Sequence, residues 1–202
     1  SEITYSIGSV DGISFCRDYE MKNSTPRTNP GRLNPDIIGP TAETDNELPV
    51  MLMKSADGTP KGAIVCFACH LDCVDGTEYS GDFASELSKQ MKNLYGDDFV
   101  TVFFMGTSGN INHFNVNTAG DAPDHYRKMG RKIAGEALRV MSFAEPIADT
   151  GIKSKYETIT LPRKHISEEK IANAIKNDLG KSAEESYMCE TGLVLMELNY
   201  MI

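Results

Sequence analysis

No apolar run in the 202 residues approaches the roughly 18 that a membrane-spanning helix needs. The opening residues Ser1-Glu2-Ile3-Thr4-Tyr5-Ser6 lack the charged-then-apolar order of a secretory leader, which leaves export after cleavage open. Positive charge is also short: 20 Lys and Arg face 29 Asp and Glu, for a net charge of -9. Nucleic-acid affinity comes largely from clustered Lys and Arg, and the basic residues around Lys164 are interrupted and followed by Glu168 and Glu169, so a nucleic-acid partner is not expected. Cysteine is scarce and odd in number, five in all. A disulfide framework is therefore not expected in a chain of this length, and a reducing compartment such as the cytoplasm is favoured.

Two catalytic signatures are missing as well. The turn Gly106-Thr107-Ser108-Gly109 has no P-loop lysine after it, and glycine directly after Ser108 breaks the G-x-S-x-G pattern of a nucleophile elbow. No internal repeat and no low-complexity segment is present.

What remains is a chain whose 40% hydrophobic content suffices for one sizeable core. Period-two or continuous apolar patterns predict strands over residues 3–10, 48–54, 61–68, 99–105 and 152–161, with a further short one near Phe15. The Asp57-Gly58 turn joins the second and third as a hairpin. Residues 23–46, punctuated by Pro26, Pro30, Gly31, Pro35, Gly39 and Pro40, read as a long irregular stretch, and such stretches are usually functional or disordered.

Helices are predicted where apolar residues recur at three- and four-residue spacing. Over residues 82–94 Phe83, Leu87, Met91 and Leu94 form one face, with Asp82 as cap and Gly96 as stop. A second helix opens at Asp121-Ala122-Pro123-Asp124 and faces inward with Tyr126, Met129, Ile133, Ala137 and Met141. A third, over residues 167–179, turns Ile171, Ile175 and Leu179 inward. Alternating strands and helices predict an α/β protein of three layers, a mixed β-sheet flanked by helices, in a single domain over 1–202. The apolar stretch at residues 193–202 has no polar tail, so the chain is expected to be an incomplete piece of a longer one.

The chemistry collects at the ends of two strands. Residues 62–69 run apolar into His70, and residues 99–105 run apolar into a turn rich in glycine and asparagine, Gly106 to His113. Both runs suit strands buried on both faces, and ligands in open α/β sheets gather at such ends. The two are therefore expected to be neighbouring central strands, with His70 and Asn112 at one edge. Asp72, two residues beyond His70, would share its face and orient it as a metal ligand or base if the extension persists. The glycine-rich turn can aim backbone N–H groups at an anionic oxygen, or it is an ordinary strand-to-loop turn.

Cys66-Phe67-Ala68-Cys69-His70 matches the C-x-x-C-H pattern of haem attachment, but it continues a strand rather than a helix. Zinc held by Cys66, Cys69 and Cys73 would lack a second C-x-x-C knuckle, and a strand points residues 66 and 69 to opposite faces. Small buried hydrophobes are the favoured reading of these cysteines. Arg17 beside Asp18 reads as a surface ion pair of small energetic value.

The ordered set Phe15-Cys16-Arg17-Asp18, Asn29-Pro30-Gly31-Arg32-Leu33-Asn34-Pro35-Asp36, Ala63 to His70, Ser80-Gly81-Asp82-Phe83 and Phe103 to Asn112 resembles the amino-terminal domain of neutral/alkaline non-lysosomal ceramidases. The shorter bacterial proteins related to that domain are the nearer resemblance, which covers about residues 3–146. It implies a zinc-dependent hydrolase that cleaves an amide bond in a small-molecule or lipid-like substrate. In that family two histidines, a glutamate and a tyrosine hold the zinc. His70 resembles the second histidine, while the first belongs to an H-x-H segment upstream and the other ligands would lie beyond Ile202. Arg17 resembles the arginine that holds the substrate head group, with Gly109 and Asn110 as further substrate contacts. Where the family has G-D-V-S-P-N, this chain reads Gly109-Asn110-Ile111-Asn112-His113-Phe114, so Asn112 replaces a serine proposed as nucleophile. Asn112 cannot attack a carbonyl, but it can donate to an oxyanion. Water activated by zinc then becomes the expected nucleophile, and ceramide itself is in doubt as substrate. The alternative is a catalytically silent relative that uses the same cleft only to bind.

Overall fold

The computed structural model describes residues 1–148 and 151–161, together with 167, 169, 172, 173 and 176. The chain divides into two compact units, Ser1–Gly151 and Ile152–Ile202. Among the described residues every strand lies in the first. Its strands are β1 (Glu2–Ser9), β2 (Phe15–Cys16), β3 (Asp18–Met21), β4 (Arg27–Thr28), β5 (Ile37–Pro40), β6 (Glu47–Lys54), β7 (Pro60–Phe67), β8 (Val100–Met105), β9 (Ile111–Asn112) and β10 (Glu145–Pro146). Two helices, α1 (Asp82–Tyr95) and α2 (His125–Met141), complete it.

The main sheet has the order β10-β1-β6-β7-β8. The pairs β10–β1, β1–β6 and β6–β7 are antiparallel and β7–β8 is parallel, so the sheet is mixed and the fold α/β as the alternating pattern predicts. The β6–β7 hairpin closes over Ser55, whose N–H donates to the Thr59 carbonyl at 2.9 Å. Gly58 there adopts φ +84°, a conformation that favours glycine.

α1 and α2 lie together on one face. Phe83, Leu87 and Met91 from α1 and Met129, Ile133 and Ala137 from α2 are fully buried against Leu48, Val50, Ala63, Val65 and Phe67. Each large apolar side chain removed from water in this way contributes roughly 1.5–3 kcal/mol. The helices approach so closely that a Cβ on Gly130 would stand 2.5 Å from the Phe83 carbonyl oxygen. Leu94, predicted to face inward, is 60% exposed, because Tyr95, four residues after Met91, takes the inward place and packs against the core.

Three expectations are corrected. Among the described residues β8 is an edge strand rather than a central one, and Val100, Val102, Phe104 and Met105 are exposed, since no described strand pairs beyond it and α1 and α2 cover only one face. Residues 23–46 are not structureless: β4 and β5 pair on either side of β3 in a small three-stranded sheet. Residues 152–161 carry no strand, and Ile152, Tyr156, Ile159 and Leu161 are exposed, because an alternating pattern becomes a strand only where a ladder partner is present. Of the third predicted helix, Ser167 is not helical, Glu169, Ala172, Asn173 and Lys176 are helical, and the remainder lies outside the described residues, as do residues 193–202. Among the described residues no helix is long and apolar enough to cross a membrane.

Candidate functional site

Because β7 and β8 are parallel neighbours joined through α1, their carboxyl ends meet at one edge of the sheet. The register carries Phe67 opposite Met105, and the Gly106 N–H donates to the Phe67 carbonyl at 3.1 Å. A Cβ at Gly106 would stand 3.3 Å from the Ala68 backbone, so a small residue is needed where the two strand ends separate. The loop carrying His70 and the turn carrying Asn112 therefore leave the sheet side by side, as expected.

The first loop is anchored by a carboxylate. Asp82 is buried, and its Oδ2 accepts hydrogen bonds from the Cys73 and Val74 N–H groups at 2.8 and 2.9 Å while Oδ1 accepts from Phe83 N–H at 2.6 Å. Its φ of +49° is a left-handed conformation that a non-glycine residue adopts at a cost. Asp82 is thus the first residue of α1, not its cap, and its carboxylate ties the loop after His70 to the helix start.

His70 is half-buried just beyond β7, and its imidazole makes no hydrogen bond with the described residues. Asp72 does not orient it. The Asp72 carboxylate instead lies 2.9 Å from His113 Nδ1, because the loop turns away from the strand direction after Cys69.

The second turn is held by β2 and the loop before β4. β9 pairs with β2, placing Phe15 opposite Asn112 and Cys16 opposite Ile111. The Arg17 N–H donates to the Asn110 carbonyl at 2.8 Å, and its guanidinium Nη2 donates to the Gly109 carbonyl at 2.6 Å. Arg17 therefore does not pair with Asp18, whose carboxylate accepts from the Thr28 hydroxyl. Asn112 is 5% exposed; its Nδ2 donates to Asn29 Oδ1 at 3.1 Å, and its Oδ1 accepts from Phe114 N–H at 3.0 Å. One of its two amide N–H bonds is left over. Gly109 has open space around its Cα and no left-handed φ, so neither close approach nor backbone conformation calls for glycine there.

The structure thus gathers Arg17, Gly109, Asn110 and Asn112 into one bonded set and brings the His70 loop alongside. Asn29, Asp82, Arg32 and His113 were not singled out by sequence reasoning, although Asn29, Arg32 and Asp82 lie in the quoted motifs and His113 directly follows Asn112.

Burial pushes the Cys69 thiol up to about 12, helped by the nearby Asp72 and Asp82 carboxylates. The same causes, with a hydrogen bond to Asp82, raise Cys73, and burial raises Cys66. These groups therefore stay protonated near neutral pH, and Cys73 Sγ packs 3.4 Å from Met129 Sδ. Among the described residues no three His, Cys, Asp or Glu side chains converge to hold a metal ion.

No family model matches the chain, and no curated protein does. Two solved structures are similar in fold. A neutral ceramidase from Pseudomonas aeruginosa superposes with a TM-score of 0.52 at 22% identity over 70% of this chain, and a ceramidase complexed with C2 gives 0.53 at 20% over the same share. In both cases the chain spans 22% of the neighbour's length. At these identities the likeness carries the fold.

Proposed function

We propose that the chain is part of a zinc-dependent hydrolase that cleaves an amide bond in a small-molecule or lipid-like substrate. The observation that carries this reading is the convergence of the His70 loop and the Asn112 turn at one sheet edge, in a fold similar to that of ceramidases. His70, half-buried and without a hydrogen bond among the described residues, suits a metal ligand. It is one ligand where catalytic zinc usually takes three from the protein, so the others must come from outside the described residues. When bound, zinc would supply Lewis acidity toward the amide carbonyl and a lowered pKa for water.

The remaining roles belong to this chain's own groups. The second Asn112 N–H is free to donate to the oxygen that gains charge as the amide carbonyl is attacked. Its pairing with Asn29 and Phe114 fixes the amide's orientation, so little reorganisation accompanies that donation. Arg17, braced on the Gly109 carbonyl, keeps further guanidinium N–H bonds for a polar head group, and Asn110 beside it, whose Nδ2 donates to Cys16 Sγ at 3.9 Å, has a second amide N–H to offer. A silent, ligand-binding relative is favoured by one observation, the asparagine amide where the family has a serine hydroxyl.

The test is release of free amine from a series of N-acylated substrates by the intact protein. The reading expects cleavage that a zinc chelator stops, with Arg17→Ala raising KM more than it lowers kcat. Tight binding of the same compounds without turnover would favour the silent relative.

A further inference from the structure

Beside the site lies a cluster of charged and aromatic side chains that the proposed reaction does not use. His113 stands at its centre, with Nδ1 2.9 Å from Asp72 Oδ1 and Nε2 3.8 Å from Asp121 Oδ2. Asp121 also pairs with Arg32, whose guanidinium lies 4.0 Å over the Phe114 ring and donates to the Asn115 carbonyl at 2.8 Å. The His125 ring packs 5.5 Å from that of His113, with its Nε2 buried and without a partner. These groups come from separate stretches: the loop after β7, the loop after β4, the turn after β9 and the approach to α2. Among the described residues, Asp72–His113 is the one side-chain hydrogen bond joining the His70 loop to the Asn112 turn.

Resting on the site reading above, we propose that His113 is a positioning residue: as an imidazolium between Asp72 and Asp121, it latches the loop that carries His70 onto the turn that carries Asn112. The reason is the donor count. A neutral imidazole that donates from Nδ1 to Asp72 presents a lone pair at Nε2 toward a second carboxylate, whereas the imidazolium donates to Asp72 and turns a positive N–H toward Asp121 at ion-pair distance. Metal is not the better occupant, since no three ligating groups converge among the described residues and Arg32 already holds Asp121.

The charges around the ring agree. Burial lowers the His113 pKa, but the Asp72 hydrogen bond and the fields of Asp72, Asp121 and Asp82 outweigh it and hold it above the ordinary histidine value. His125 moves the other way, lowered by burial and by the His113, Arg32 and Lys128 cations against the pull of Asp121. Of the two rings, His113 is thus the more basic. A raised histidine value means that the latch is fully formed below about pH 6.5 and is lost as the pH rises through the folded value.

The experiment is an NMR titration of the histidine ring resonances in the intact protein, with hydrogen exchange at Phe114 N–H, the group bonded to Asn112 Oδ1. His113 is expected to titrate above the ordinary value, and Asp72→Asn to lower its midpoint by about one unit. Protection of Phe114 N–H should fall about tenfold across that midpoint beyond the intrinsic pH effect, and His113→Gln should abolish this dependence on pH. If His113→Gln does not fold, Asp72→Asn alone decides, through the displaced midpoint of the same protection loss. A His113 midpoint at or below the ordinary value, or Phe114 protection indifferent to pH, overturns the inference. Neither readout involves a substrate. Absent amide cleavage with a working latch therefore counts against the hydrolase reading alone, and cleavage with a pH-blind Phe114 counts against the latch alone.

Discussion

On the helical side of the sheet, Phe83, Leu87, Met91, Met129 and Ile133 are sealed from water by one another. At the carboxyl edge the buried side chains include Asp82, held by the Cys73 and Val74 N–H groups, and Asn112, held by Asn29. The first region gains from area removed from water, which is non-directional and tolerant of exchange between similar shapes. The second gains little per bond but loses heavily when one partner is left unpaired. The edge can therefore hold polar groups in a fixed orientation, which the core cannot, and the helices beneath supply the stability that this requires.

The sharpest way to break the contrast is Phe83→Ala. Phe83 is fully buried and meets Phe103 edge to face at 5.4 Å, so a loss of about 3–5 kcal/mol is expected in urea denaturation. Next comes Asp82→Ala, which strands the Cys73 and Val74 N–H groups and is expected to cost about 2–3 kcal/mol, with faster hydrogen exchange at those two amides. Asp82→Gly, which suits the φ of +49°, should be milder by about 1 kcal/mol. Asn112→Ala should cost about 1–2 kcal/mol of stability, spare bound metal in the intact protein and slow turnover by about a hundredfold. The smallest effect is expected from Val100→Thr on the exposed edge strand, within about 0.5 kcal/mol, which separates that uncovered strand from the buried core.

The same contrast explains what was readable beforehand. α1, α2, the hairpin and the two strand ends were predictable because each is written in local periodicity, in Phe83, Leu87 and Met91 or in the run from Ala63 to Phe67. The joining of Arg17, Gly109 and Asn112 was reachable only through the ordered motifs. Asp72 went to His113 rather than His70, and Arg27–Thr28 and Ile37–Pro40 within the irregular stretch became strands, because those outcomes depend on partners outside each segment. Residues 152–161 show the converse, an alternating pattern without a ladder to complete it.

If the proposed reaction holds, the end of β7 delivers His70 as a ligand to a catalytic zinc ion. Elemental analysis of the intact protein and of its His70→Ala variant, each dialysed against a mild chelator, tests it most directly. The account predicts about one zinc per wild-type chain and none in the variant, because a three- or four-ligand site that loses a histidine loses most of its binding energy. Stoichiometric zinc retained by His70→Ala would contradict it and leave His70 a half-buried histidine with a structural role.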